Sequence, residues 1–175
     1  LFAELFSGAS VEQCQALADR KEALFRAMSP SLEPMPGLLR LLEHAQAHDI
    51  GMCVVTNAPR LNAEHMLNAM GLGQHFEHVL VAEELARPKP DPLPYLTGLQ
   101  RLGAEAGQAL AFEDSLPGTA AASGAGIFTV GVATTQTPER LLAAGARLVV
   151  DDFNDAALWA LIERMASDRE CGPEG

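Results

Sequence analysis

Residues 11–28 carry apolar side chains at Leu17, Leu24, Phe25 and Met28 among good helix formers, a helical spacing. Ser10, with Gln13 three positions on, has the form of a capping box at the start. Ser29-Pro30 ends that helix. Residues 29–36 hold three prolines and read as a hinge rather than a core element. From Pro36 onward short apolar runs alternate with helical patterns. Pro36 suits a helix first turn, and Leu38, Leu39, Leu41 and Leu42 follow it. Residues 51–55 predict a buried strand that ends at Thr56-Asn57. Residues 60–70 predict a helix closed by Gly71. Further strands are expected at 79–81, 109–112, 127–132 and 148–150, with helices at 92–102, 118–123, 138–144 and 155–165. Residues 168–175 read as a frayed polar tail. Short strands alternating with helices predict an α/β fold, with a parallel sheet covered by helices on both faces.

Composition narrows the function classes. The chain has 175 residues, with 48% hydrophobic and 20% charged positions, which fits one globular domain with a small appendage. Lys and Arg number 12 against 23 Asp and Glu, a net charge of −11. That field repels a phosphate backbone and an anionic membrane surface, so neither is an expected partner. No apolar run approaches the roughly 18 residues of a membrane span. No signal-peptide pattern is present. Cys14, Cys53 and Cys171 are far apart with no C-x-x-C. A reducing cytoplasm is therefore the expected compartment, and Cys53 reads as a core residue. No feature of the chain points to an oligomeric state.

Ligands of such sheets bind beyond the carboxyl ends of the strands. The first strand ends at Thr56-Asn57, the third at Glu113-Asp114-Ser115, and the loop after the second reads Arg87-Pro88-Lys89-Pro90-Asp91-Pro92. Around a phosphate each group has a task. The Thr56 hydroxyl and the Asn57 backbone N–H can donate to phosphate oxygens, helped by the helix N-terminus that follows. Lys89, one of two lysines beside Lys21, supplies a point charge fixed between two prolines. Glu113 and Asp114 are hard oxygen donors of the kind Mg2+ takes together with water and phosphate. Each residue also has an ordinary alternative: a turn at Thr56, a solvated charge at Lys89, a helix cap at Asp114 or Ser115. His44 and His48 lie one helical turn apart without the glutamate of a zinc motif, and they read as packed or surface residues.

Taken in order, these motifs resemble the haloacid dehalogenase superfamily, whose core is a Rossmann-like sheet. Val54-Val55-Thr56-Asn57 is similar to its second motif and Arg87 to Pro92 to its third. Phe112-Glu113-Asp114-Ser115 with Gly118 is similar to its acidic fourth motif. Pro36-Gly37-Leu38-Leu39 is similar to the segment that re-enters the core after a helical cap. The Glu-Asp-Ser form looks closest to the β-phosphoglucomutase-like and sugar-phosphatase branch. The resemblance implies Mg2+-dependent phosphoryl transfer on a small phosphorylated metabolite through an aspartyl-phosphate. Thr56, Asn57 and Lys89 would hold the phosphate, Lys89 and Thr56 would also serve catalysis, and Asp114 and Glu113 would hold the metal. It also implies residues 1–34 as part of a cap with its hinge, residues 35–168 as the core and residues 169–175 as a disordered tail.

The family's first motif, Asp-x-Asp at the end of an apolar strand, has no counterpart. The first aspartate is Asp19, inside a predicted helix, and no Asp-x-Asp precedes Thr56. The resemblance places that strand mid-sheet, between those ending at Thr56 and Asp114. The chain also begins at Leu1. The expectation is an N-terminally shortened piece of a longer enzyme, inactive alone and lacking its first central strand. A noncatalytic phosphate-binding module and a dehalogenase-type hydrolase are the alternatives. The carboxylate pair favours phosphoryl transfer over the latter, which needs no metal.

Overall fold

The computed structural model describes residues 10–170. Of the segment expected as cap and hinge, residues 1–9 lie outside the described residues, as do Cys171 and the rest of 171–175. Helix α1 (Val11–Met28) starts at the expected capping box: the Gln13 N–H donates to Ser10 Oγ at 3.2 Å, and the Ser10 N–H donates to Gln13 Oε1 at 2.8 Å. No α1 residue is buried, so the apolar stripe through Leu24 and Met28 faces outward. Polar contacts tie α1 to helix α3 (Arg60–Ala69). Arg26 Nη1 donates to Asn62 Oδ1 at 2.5 Å, and Asn62 Nδ2 donates to Glu22 Oε2. His65 Nε2 lies 2.7 Å from the Ser29 carbonyl oxygen.

Helix α2 (Leu38–Ala47) begins two residues past Pro36, so Gly37 is the N-cap and Pro36 lies just outside the first turn expected to hold it. Gly37 has φ +80°, and a Cβ there would stand 2.5 Å from the Phe153 carbonyl carbon. Only glycine fits that close approach. The Phe153 N–H donates to the Pro36 carbonyl at 3.0 Å, docking the start of α2 on the loop after the last strand.

Five parallel strands follow, but they form two sheets. Strand β1 (Cys53–Thr56) pairs with β2 (His78–Val81), with Val55 opposite Leu80. Strand β3 (Leu110–Glu113) pairs with β4 (Phe128–Val132), which pairs with β5 (Leu148–Val150). The parallel strands are interrupted as expected of a sheet lacking its first central strand: among the described residues no ladder joins β1 to β3. The break lies where the first central strand is expected and not found.

The helices ignore the break. Helix α4 (Leu93–Leu102) and helix α5 (Leu116–Gly124) cover one face, where Val55 of β1 packs against the cluster of Tyr95, Ala111 and Ala121. On the other face Leu38 of α2 packs against the Leu42–Leu67–Leu72 cluster, which includes Val54 at its edge. Leu38 also packs against the Val130–Phe153–Leu158 cluster, which includes Phe112. That second cluster is closed by helix α7 (Ala156–Glu170), while helix α6 (Pro138–Ala143) sits over β5. Helix α7 runs to Glu170, past the expected end at 165 and into the residues read as tail. Both helical layers are thus continuous while the ladder between them is not. Every residue of β1 is only half-buried, although helices pack on both its faces. Among the described residues its second edge is unpaired.

Candidate active site

The carboxyl ends of β1 and β3 and the loop after β2 converge, as the strand-end reasoning expects. At the end of β1, Thr56 Oγ1 accepts from the Ala58 N–H at 3.0 Å. This local turn leaves the hydroxyl proton able to donate. Asn57 does something the sequence did not reveal. Its Nδ2 donates to the Lys89 carbonyl at 3.1 Å, and its Oδ1 accepts from the Lys89 N–H at 3.2 Å. The carboxamide is a two-point clip on the Lys89 backbone, next to the cis Lys89–Pro90 peptide. Its backbone N–H, not its side chain, is the group left for a phosphate.

Lys89 crosses the break. Carbonyls alternate in direction along a strand, and Met52 O accepts from the Glu77 N–H beside β2. The Val55 carbonyl therefore points to the opposite, open edge, where it accepts from Lys89 Nζ at 3.1 Å. The same ammonium pairs with Glu113 Oε1 at the end of β3. The two side chains are 8% and 6% exposed, so this is a buried ion pair, with each charge dependent on its partner.

Glu113 is fully engaged. Its Oε1 also accepts from the Tyr95 hydroxyl of α4, and its Oε2 accepts from Ser115 Oγ at 3.2 Å. Its carboxylate lies against the first turn of α5, where a Cβ on Gly118 would collide with it. Ser115 also caps α5, accepting from the Gly118 N–H at 3.1 Å. Burial, then the Glu113 charge, push the Tyr95 phenol well above its ordinary range, so it remains a donor. Glu113, expected as a metal ligand beside Asp114, has both carboxylate oxygens already hydrogen-bonded. As folded, both its oxygens serve Lys89, Tyr95 and Ser115.

Asp114 has the opposite environment. It is exposed, accepting at Oδ2 from Thr134 Oγ1 at 3.2 Å and at its carbonyl from Thr135 Oγ1 at 3.3 Å. It borders a cavity of about 250 Å³ lined by Met35, Leu38, Phe112, Thr134 and Phe153 among others. A free carboxylate oxygen beside that space suits Mg2+, which takes one or two carboxylates and completes its shell with water and phosphate. Among the described residues no three His, Cys, Asp or Glu side chains converge on a point. Asp114 fits as a ligand from this part of the chain.

Tyr95, Thr134 and Thr135 escaped the sequence reading. Tyr95 is the chain's single tyrosine and sits six residues past Lys89, the one signal that pointed to it. His44 and His48 lie away from the site; their rings are 4.2 Å apart, and His44 packs edge-on against Trp159. Cys53 is half-buried, and burial raises its thiol pKa. No described helix is long and apolar enough to cross a membrane.

A family model described as haloacid dehalogenase-like hydrolase matches residues 2–132. The chain is 36% identical over 145 residues to validoxylamine A 7'-phosphate phosphatase of Streptomyces hygroscopicus subsp. limoneus, covering 82% of this chain and 66% of the relative. It is 36% identical over 134 residues to a phosphoglycolate phosphatase of Rhodospirillum rubrum, covering 77% of this chain and 56% of the relative. The chain thus spans less than two thirds of either relative. A solved structure of a putative β-phosphoglucomutase from Thermotoga maritima superimposes with a TM-score of 0.72 at 29% identity, over 89% of this chain and 71% of that one.

Proposed function

Because this chain belongs to the haloacid dehalogenase-like hydrolase family, we propose that it is the phosphate-holding part of a Mg2+-dependent phosphatase or phosphomutase. Its substrate is a small phosphorylated metabolite. The observation that carries this reading is the Lys89 ammonium, drawn to the strand ends by Glu113 and by the carbonyl of Val55, the residue before Thr56. A phosphoryl group seated there takes a hydrogen bond from Thr56 and one from the Asn57 backbone N–H, and Lys89 neutralises its charge. Positioning and charge neutralisation carry most of phosphoryl transfer. Asp114 is the residue to hold the metal, with Thr134 fixing its carboxylate. The metal, when bound, neutralises developing charge on the phosphoryl oxygens. The names of the relatives support this substrate class: both are phosphatases of small phosphorylated molecules.

The nucleophilic aspartate that the family resemblance implies is not among these residues. Asp91, the aspartate next to Lys89 in sequence, is held by Leu93 N and Arg87. The experiment is hydrolysis of p-nitrophenyl phosphate by the 175-residue chain, with and without Mg2+, alongside calorimetric titration with inorganic phosphate. The expected result is phosphate binding without turnover. Mg2+-dependent turnover by a preparation free of other phosphatases would replace the nucleophile assignment. Absence of phosphate binding by the folded chain would overturn the cradle itself. The same commitment of carboxylates near Lys89 favours a second reading, a noncatalytic phosphate-binding module. Turnover by the chain extended to the length of its relatives separates the two.

A further inference from the structure

Resting on the reading of this site as a phosphate cradle, we propose that Tyr95 is a positioning residue that sets the Lys89 ammonium for phosphate by acting through Glu113. Three observations carry it. First, Glu113 Oε1 accepts from both Lys89 Nζ and the Tyr95 hydroxyl. A carboxylate oxygen shared between two donors gives less of its charge to each. The lysine thereby keeps positive charge for a third partner, where an unshared ion pair would spend it. Second, the carboxylate cannot turn away from this arrangement. Ser115 Oγ holds Oε2 at 3.2 Å, and the first turn of α5 presses against it where Gly118 has no side chain. Third, the Tyr95 ring lies beneath the ammonium, with Lys89 Nζ 5.8 Å from its centroid, an approach that favours the cation. Tyr95 itself is only 8% exposed, so its effect on phosphate passes through Glu113 and Lys89.

The composition of the chain makes a direct test available. Lys21 and Lys89 are the only lysines and Tyr95 the only tyrosine. Protein carrying 13C at the lysine ε-carbons gives two NMR signals, one from exposed Lys21 and one from buried Lys89. In the wild type, inorganic phosphate is expected to move the Lys89 signal and leave that of Lys21. Tyr95→Phe keeps the ring and removes the hydroxyl. In that variant, shown to be folded by circular dichroism, the Lys89 signal is expected to shift before any phosphate is added. The phosphate concentration at half-saturation should rise about fivefold, the factor that one ordinary hydrogen bond corresponds to. A merely structural tyrosine would leave both readings unchanged.

An unmoved Lys89 signal in the phosphate-free, folded variant overturns the proposal. Phosphate that moves neither lysine of the wild type overturns the reading of the site instead, so the two failures are distinguishable. If Tyr95→Phe does not fold, 3-fluorotyrosine at the single tyrosine keeps ring and hydroxyl and makes the phenol a stronger donor. A shift of the Lys89 signal then supports the proposal, and its absence overturns it.

Discussion

The two sheets of this protein are built from similar sequence and differ in how well they are buried. β4 reads Phe-Thr-Val-Gly-Val and is buried from Thr129 to Val132, flanked by β3 and β5. β1 reads Cys-Val-Val-Thr, has helices on both faces, and is half-buried throughout, with β2 its one partner among the described strands. Strand composition alone does not bury a strand; what packs on its faces and edges does. The candidate site is strung across this difference. Thr56 and Asn57 stand on the less buried sheet and Glu113 and Asp114 on the better buried one. Lys89 spans the two, with Val55 O on one side and Glu113 on the other.

The comparison breaks first at Lys89. Lys89→Ala leaves Glu113 buried without its counter-ion, and removing one member of such a pair typically costs about 3–5 kcal/mol. The expected outcome in urea unfolding is a loss of that order, with phosphate binding abolished. Hydrogen exchange should accelerate in β1 more than in β4, because β1 loses its tie across the break. Equal acceleration in the two strands would mean that Lys89 does not hold them together.

A matched pair of cavity substitutions sharpens the contrast. Val130→Ala removes methyl groups from a position with no exposure, and about 2–3 kcal/mol is expected to be lost. Val55→Ala makes the same chemical change at a half-buried position, where about 1 kcal/mol is expected. Equal losses by denaturant titration would contradict the open edge at β1.

A further effect is electrostatic and appears only in alkali. The Tyr95 pKa is raised in the folded state by burial and the Glu113 charge. Above the unfolded phenol value near 10, the unfolded chain releases a proton that the folded chain retains. The contribution is therefore fully present below that pH and lost as pH rises beyond it, by about 1.4 kcal/mol per pH unit. Tyrosinate absorbance from the single tyrosine should appear together with unfolding rather than before it. Free titration near pH 10 in the native protein would remove Tyr95 from the Glu113 contact.

Much of the fold was legible because its determinants are local. The Ser10–Gln13 capping box, the Pro36-Gly37 entry to α2 and the Ser115 cap of α5 each act within a few residues. Apolar runs with turn residues marked all five strands, and strand ends marked Thr56, Lys89 and Asp114 as neighbours. The outward-facing stripe of α1 was not legible, since a helical period tells which residues share a face and not whether anything covers it.

The amino-acid sequence by itself determined the order of the elements, their caps and the residue types delivered to the carboxyl ends of the strands. Tertiary structure alone decided what each of those residues does. The Asn57 carboxamide went to the Lys89 backbone 32 positions away, Lys89 to Val55 and Glu113 at separations of 34 and 24, and Tyr95 to Glu113 at 18. The adjacent carboxylates of Glu113 and Asp114, chemically alike, were thereby parted into a buried anchor for the lysine and an exposed group beside a cavity. Residues next to each other in an extended strand point to opposite sides. Their partners are therefore chosen by the segments that fold against each side, and nothing in the local sequence carries that choice.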